Sequence, residues 1–154
     1  MTSDTPQQTS RVEQAVACFQ EGYSCSQAVL ATFAPQLGLD RDLAFKVSGP
    51  FGAGMGRMGE TCGALTGAGM VIGLLHGRTK AEDQETKEKA YALVAELTEQ
   101  FRQRNGSFKC RELLGCDLGT PEGRQFAQDH GLSATRCVEF VRDAAELVER
   151  MLGS

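Results

Sequence analysis

The sequence predicts an all-α fold, a compact single-domain bundle of roughly seven or eight helices around a glycine-rich central helix. Three observations carry this. No segment alternates apolar and polar residues over the length of a strand, and β-branched residues are scattered. Apolar residues instead recur three and four apart, between stretches punctuated by Gly, Pro and capping residues. Residues 61–77 contain no Asp, Glu, Lys or Arg, and within them Gly63 and Gly67 lie one helical turn apart, as do Gly69, Gly73 and Gly77.

Val12, Val16 and Phe19 give an amphipathic first helix that stops at Gly22. Ser24-Cys25-Ser26-Gln27 fits a capping box and opens a second helix that runs to Pro35. Asp40 caps a short third helix carrying Leu43, Ala44 and Val47. Residues 48–60 read SGPFGAGMGRMGE, which predicts a loop too rich in glycine to be helical. The buried helix over residues 61–77 follows. Its glycines cost about 1 kcal/mol each relative to Ala, a cost that makes sense if another backbone approaches closely.

Residues 80–104 predict the longest helix, with Ala90, Leu93, Val94, Leu97 and Phe101 inward and its alternating charges in water. Asn105-Gly106 ends it. A short helix over residues 107–114 stops at Gly115, and Thr120-Pro121-Glu122 caps the next, which Gly131 closes. Residues 133–152 form the last helix, with Cys137, Phe140, Val141, Ala144, Leu147, Val148 and Met151 on one face. Residues 1–10 read as a disordered polar lead, and residues 11–152 as one domain.

At 154 residues the chain can bury a core without disulfide staples. A net charge of -4 and the absence of Trp argue against nucleic acid or an anionic membrane surface as partner. The run over residues 61–77 falls short of the roughly 20 apolar residues that span a bilayer, so no membrane insertion is expected. The start of the chain shows no secretory pattern, which makes a reducing cytoplasm the expected location. Six cysteines there point to catalysis or metal rather than permanent crosslinks.

Four of those cysteines fall where a helix is expected to begin. Ser24 precedes Cys25, Thr61 precedes Cys62, Ser107 precedes Cys110 and Ser133 precedes Cys137, each as the expected N-cap. Free N–H groups and the positive end of the helix dipole favour an anion at such a place, and the thiolate is the form that attacks, oxidises or binds metal. Cys18, on the inner face of the first helix, reads as a small buried hydrophobe. Cys116, in a loop beyond Cys110, reads as an auxiliary thiol at most. No pair has Cys-x-x-Cys spacing, so any site must be assembled from separate helices.

The blocks Gly22-Tyr-Ser-Cys25-Ser-Gln-Ala-Val-Leu30, Gly59-Glu-Thr-Cys62-Gly-Ala-Leu-Thr-Gly67, Cys110-Arg-Glu-Leu-Leu-Gly115 and Cys137-Val-Glu-Phe-Val141 resemble the C_GCAxxG_C_C family of redox-active proteins. The resemblance runs from about Arg11 to about Leu152, and it maps the family's four cysteines onto Cys25, Cys62, Cys110 and Cys137. It implies a redox or metal role. The four thiols support two chemistries, reversible disulfides as in a thiol oxidoreductase, or a bound iron–sulfur cluster or zinc, for which four thiolates are suitable ligands. Four cysteines allow three pairings, and the spacing selects none. The chain has no Cys-x-x-Cys-His, so no c-type haem is expected. The expected partner is a redox protein or a small-molecule oxidant or reductant, and the glycine-lined helix also suits a homodimer contact.

Gly54-Met-Gly56-Arg-Met-Gly59 matches G-x-G-x-x-G, but no strand precedes it and no βαβ unit surrounds it, so it reads as ground beside Cys62 with Arg57 facing an anion. His76 and His130 both precede glycines at expected helix ends, where a histidine commonly meets the last carbonyls. His76 lies about 20 Å from Cys62 along a shared helix axis, too far for one metal.

Overall fold

A computed structural model describes residues 10–153. Eight right-handed α-helices, one left-handed turn, two 3-10 turns and a π-type turn make up the helical elements among the described residues, with no strand among them. Ser10 caps α1 (Arg11–Gln20), its hydroxyl accepting from Glu13 N–H. The rest of the expected lead lies outside the described residues. The Ser24 capping box opens α2 (Cys25–Phe33), and a 3-10 turn carries the chain through Pro35. Asp40 caps α3 (Arg41–Ser48) as expected.

The middle of the bundle is built by α2, α5 (Gly63–His76) and α9 (Val138–Leu152), with α1, α3 and α6 (Gln84–Asn105) around them. Phe33, Leu30, Val29, Val71, Ile72, Leu97, Phe101, Val141, Leu147 and Val148 form the interior. Burial of that many side chains, at about 1.5–3 kcal/mol each, is the main term holding the helices together. A buried hydroxyl stitches α2 to α3, Ser26 donating to the Ser48 carbonyl at 2.8 Å, while Ser48 donates back within α3 to the Ala44 carbonyl at 2.6 Å.

The glycines of α5 divide in two. A Cβ on Gly67 would sit 2.6 Å from the Ser26 carbonyl oxygen, and one on Gly63 would strike Cys25 Sγ. The approaching backbone expected from the sequence is therefore α2. Gly69 and Gly73 have nothing within 4 Å of where a Cβ would sit, so no approach among the described residues uses them that way.

Three expectations need correction. The longest helix begins at Gln84, not at residue 80, because Asp83 accepts from Thr86 N–H and caps it there. Of its expected stripe only Leu97 and Phe101 are buried, and Val94 is 38% exposed, because the first half of α6 extends past the core. The loop over residues 48–60 contains real turns, a 3-10 turn (Gly49–Phe51) and then α4 (Gly52–Met55), whose backbone coils left-handed. From Ala53 to Arg57 every φ is positive, at 57, 72, 67, 63 and 71°.

No helix among the described residues is long and apolar enough to cross a membrane.

Candidate functional site

The site begins with Cys25, the first residue of α2. The capping box fixes that turn, with Ser24 Oγ accepting from Gln27 N–H and Gln27 Oε1 accepting from Ser24 N–H. Gln27 also donates to the Phe45 carbonyl at 3.0 Å, which ties the turn to α3. Cys25 Sγ therefore has a fixed position, and the left-handed turn curls over it.

Cys62 reaches the same point by another route. It is itself the N-cap of α5, with Thr61 one residue too early for that role, and its carbonyl accepts from Leu65 and Thr66 N–H. An isolated antiparallel bridge pairs Thr61 with Lys109. Across it Cys62 N–H donates to the Phe108 carbonyl at 2.8 Å and Cys110 N–H to the Glu60 carbonyl at 2.6 Å. Residues alternate faces in such a pairing, so Cys62 and Cys110 point to the same side. An exposed ion pair between Arg111 and Glu60 at 3.1 Å also spans the bridge.

Cys110 opens α7 (Cys110–Leu114), whose N-cap is Lys109 rather than Ser107, and no side chain caps it. Ser107 instead accepts from Lys109 N–H and bonds the Glu112 carboxylate. Cys137 is not at a helix start. It ends a π-type turn (Ser133–Cys137) that runs straight into α9, with φ -62° and ψ -35°. Arg136 donates to the Leu113 carbonyl at 3.1 Å and draws this turn against α7.

The four thiols line one cavity of about 610 Å³. Phe19, Leu113, Leu114, Leu118, Leu132 and Phe140 supply its apolar wall, and Arg57 is its one charged lining residue. Cys18 is buried on α1, as the sequence suggested, and Cys116 is half-buried outside the cavity. Neither histidine lines it. His130 caps α8 (Pro121–Asp129) with Nδ1 2.9 Å from the Phe126 carbonyl, and His76 ends α5.

Electrostatics separates the thiols. A hydrogen bond from the Cys62 thiol holds Cys25 down to about 7, against the cost of burial, and backbone N–H groups of Ala53, Ser26 and Ala64 add to the effect. The same bond, with burial, pushes Cys62 well above the ordinary thiol value. Burial first, then the neighbouring thiols, lifts Cys110 to about 11 and Cys137 to about 12. A helix-start position alone did not lower a thiol here. Cys25 differs because a left-handed turn and a second thiol supply donors.

Ala53 is a residue the sequence did not mark, and Gly54 was marked only as part of the glycine-rich ground beside Cys62. A Cβ on Gly54 would meet Glu60 N at 2.6 Å and Cys110 Cβ at 2.8 Å, so this glycine lets the turn nest under the bridge. The only local signal is the density of glycines around it.

Among the described residues no three His, Cys, Asp or Glu side chains stand where they could hold one metal ion. All six cysteines are free thiols.

Residues 23–151 match the family described as "Putative redox-active protein (C_GCAxxG_C_C)". The chain belongs to this family. Cys62-Gly63-Ala64-Leu65-Thr66-Gly67 lies within the match, and its two glycines are those that admit α2. No curated protein and no solved structure matches the chain.

Proposed function

We propose that this C_GCAxxG_C_C protein is a cytoplasmic dithiol–disulfide oxidoreductase in which Cys25 is the attacking thiol and Cys62 the resolving one. The observation that carries the reading is the Cys25–Cys62 pair, two thiols lining one cavity, with backbone N–H groups of Ala53, Ser26 and Ala64 at Cys25 and of Ala64 alone at Cys62. The Cys25 thiolate attacks one sulfur of a substrate disulfide, the substrate S–S bond breaks, and one thiolate leaves. Cys62 then loses its proton to water and attacks Cys25 Sγ, forming the Cys25–Cys62 disulfide and releasing the second thiolate. Two protein thiols are oxidised and one substrate disulfide becomes two thiols. Cys110 and Cys137, both protonated at neutral pH, remain as a second pair that can exchange with the first.

A second reading places an iron–sulfur cluster on the same four thiolates, and it is supported by their lining one cavity. Four soft sulfur donors suit such a cluster, or zinc, in kind. Single-metal spacing is not met, so the dithiol reading is the better supported. Protein purified without oxygen separates the two. The dithiol reading expects colourless, metal-free protein that loses two thiols per equivalent of diamide. Stoichiometric iron with charge-transfer absorption would replace it with the cluster.

A further inference from the structure

We propose that the cavity selects small soft electrophiles with an apolar body and an anionic group, organic disulfide carboxylates being the simplest, and that Arg57 recognises the charge. This rests on the Cys25–Cys62 reading above. Size supports it first. A volume of about 610 Å³ is that of a small-molecule pocket, and the attacking Cys25 is half-buried within it while its resolving partner Cys62 is only 5% exposed.

Chemistry supports it second. Phe19, Leu113, Leu114, Leu118, Leu132 and Phe140 line the cavity along with the thiols, which favours an aromatic or aliphatic body. No Asp or Glu lines the cavity. Arg57 is exposed where it lines the cavity, borders a neighbouring hollow shared with Asp117 and Arg124, and takes part in none of the ion pairs among the described residues. Its backbone sits at φ 71°, an uncommon conformation for a residue with a side chain. A glycine would relieve that strain, so an arginine is kept there at a cost in stability. A cation at the mouth of a low-dielectric cavity raises the local concentration of anions. The leaving group of the first exchange is itself a thiolate, so the same charge stabilises its departure.

The test compares two aromatic disulfides on the reduced, full-length protein, the dicarboxylate dithiobis-nitrobenzoate and the uncharged dithiodipyridine. Each rate is divided by that of a free small thiol with the same reagent. The ratio of anionic to neutral rate is expected to exceed one at low salt and to fall about tenfold in Arg57→Gln, an effect of one charge near a reaction site. Arg57→Lys should retain most of the ratio. Arg57→Gly should lose it while gaining thermal stability, which separates lost charge from lost fold. An unchanged ratio in Arg57→Gln overturns the proposal, as does faster reaction with a folded protein's disulfide than with either small one. Failure of the underlying reading looks different, since Cys25→Ser would then react with both reagents as fast as the parent protein.

Discussion

Cys25 is distinguished from the other thiols by what points at it. A hydrogen-bonding thiol and backbone donors from three separate segments converge on one sulfur. Iodoacetamide alkylation followed residue by residue should therefore modify Cys25 with a midpoint near pH 7. Cys110 and Cys137 should respond only toward 11 and 12. Replacing the donor with Cys62→Ala should move the Cys25 midpoint up toward the ordinary value of 9.0. A midpoint that stayed near 7 would assign the shift to the backbone alone.

The raised thiols also make stability depend on pH, and the sign can be worked out. Cys110 and Cys137 bind protons more tightly in the folded state than in the unfolded one. Their contribution is complete below about 9 and is lost as the pH rises through about 11 and 12. Urea midpoints should fall across that window, and less steeply in the Cys110→Ser/Cys137→Ser double variant. Equal slopes in the two proteins would sink this account.

At the scale of elements, the close crossing of α2 and α5 decides the geometry. Gly67→Ala places a methyl group against the Ser26 backbone, which cannot swing aside, and overpacking of this kind costs about 1–3 kcal/mol. Gly69→Ala meets nothing and should stabilise α5 by about 0.5–1 kcal/mol. Denaturation midpoints of the two variants should move in opposite directions, and a gain for Gly67→Ala would contradict the crossing. The left-handed turn gives a further prediction. A left-handed residue with a Cβ costs roughly 1–2 kcal/mol, so Ala53→Gly should raise stability. It should also slow Cys25, because a looser turn holds the Ala53 N–H less firmly on the sulfur. A rise in stability with no change in Cys25 reactivity would remove the turn from the site.

These elements also mark where the sequence could be read and where it could not. The capping box at Ser24, the cap at Asp40 and the glycine ends at Gly22 and Gly115 follow from local chemistry and are present. Ser133 looks like a cap for Cys137 by composition, yet the chain is already helical there through the π-type turn. Thr61 and Ser107 were displaced as caps by the Thr61–Lys109 bridge, a pairing between residues distant in sequence. The hand of the turn at Ala53 was equally hidden, because Ala and Met carry no preference for positive φ.

For the whole molecule, the packed helices hold a small volume open where α2, α5, α7 and the start of α9 meet. The four cysteines that line it lie within the family match over residues 23–151. Convergence on one cavity was beyond spacing arguments, since the blocks lie on separate helices. What remains to be measured is the order in which the four thiols pair.

The most direct test oxidises the reduced protein with one equivalent of diamide, traps the remaining thiols and maps the disulfide by mass spectrometry. The account predicts that Cys25–Cys62 forms first and that Cys110 and Cys137 are recovered alkylated. A first disulfide that joined Cys110 to Cys137, or left Cys25 free, would contradict it.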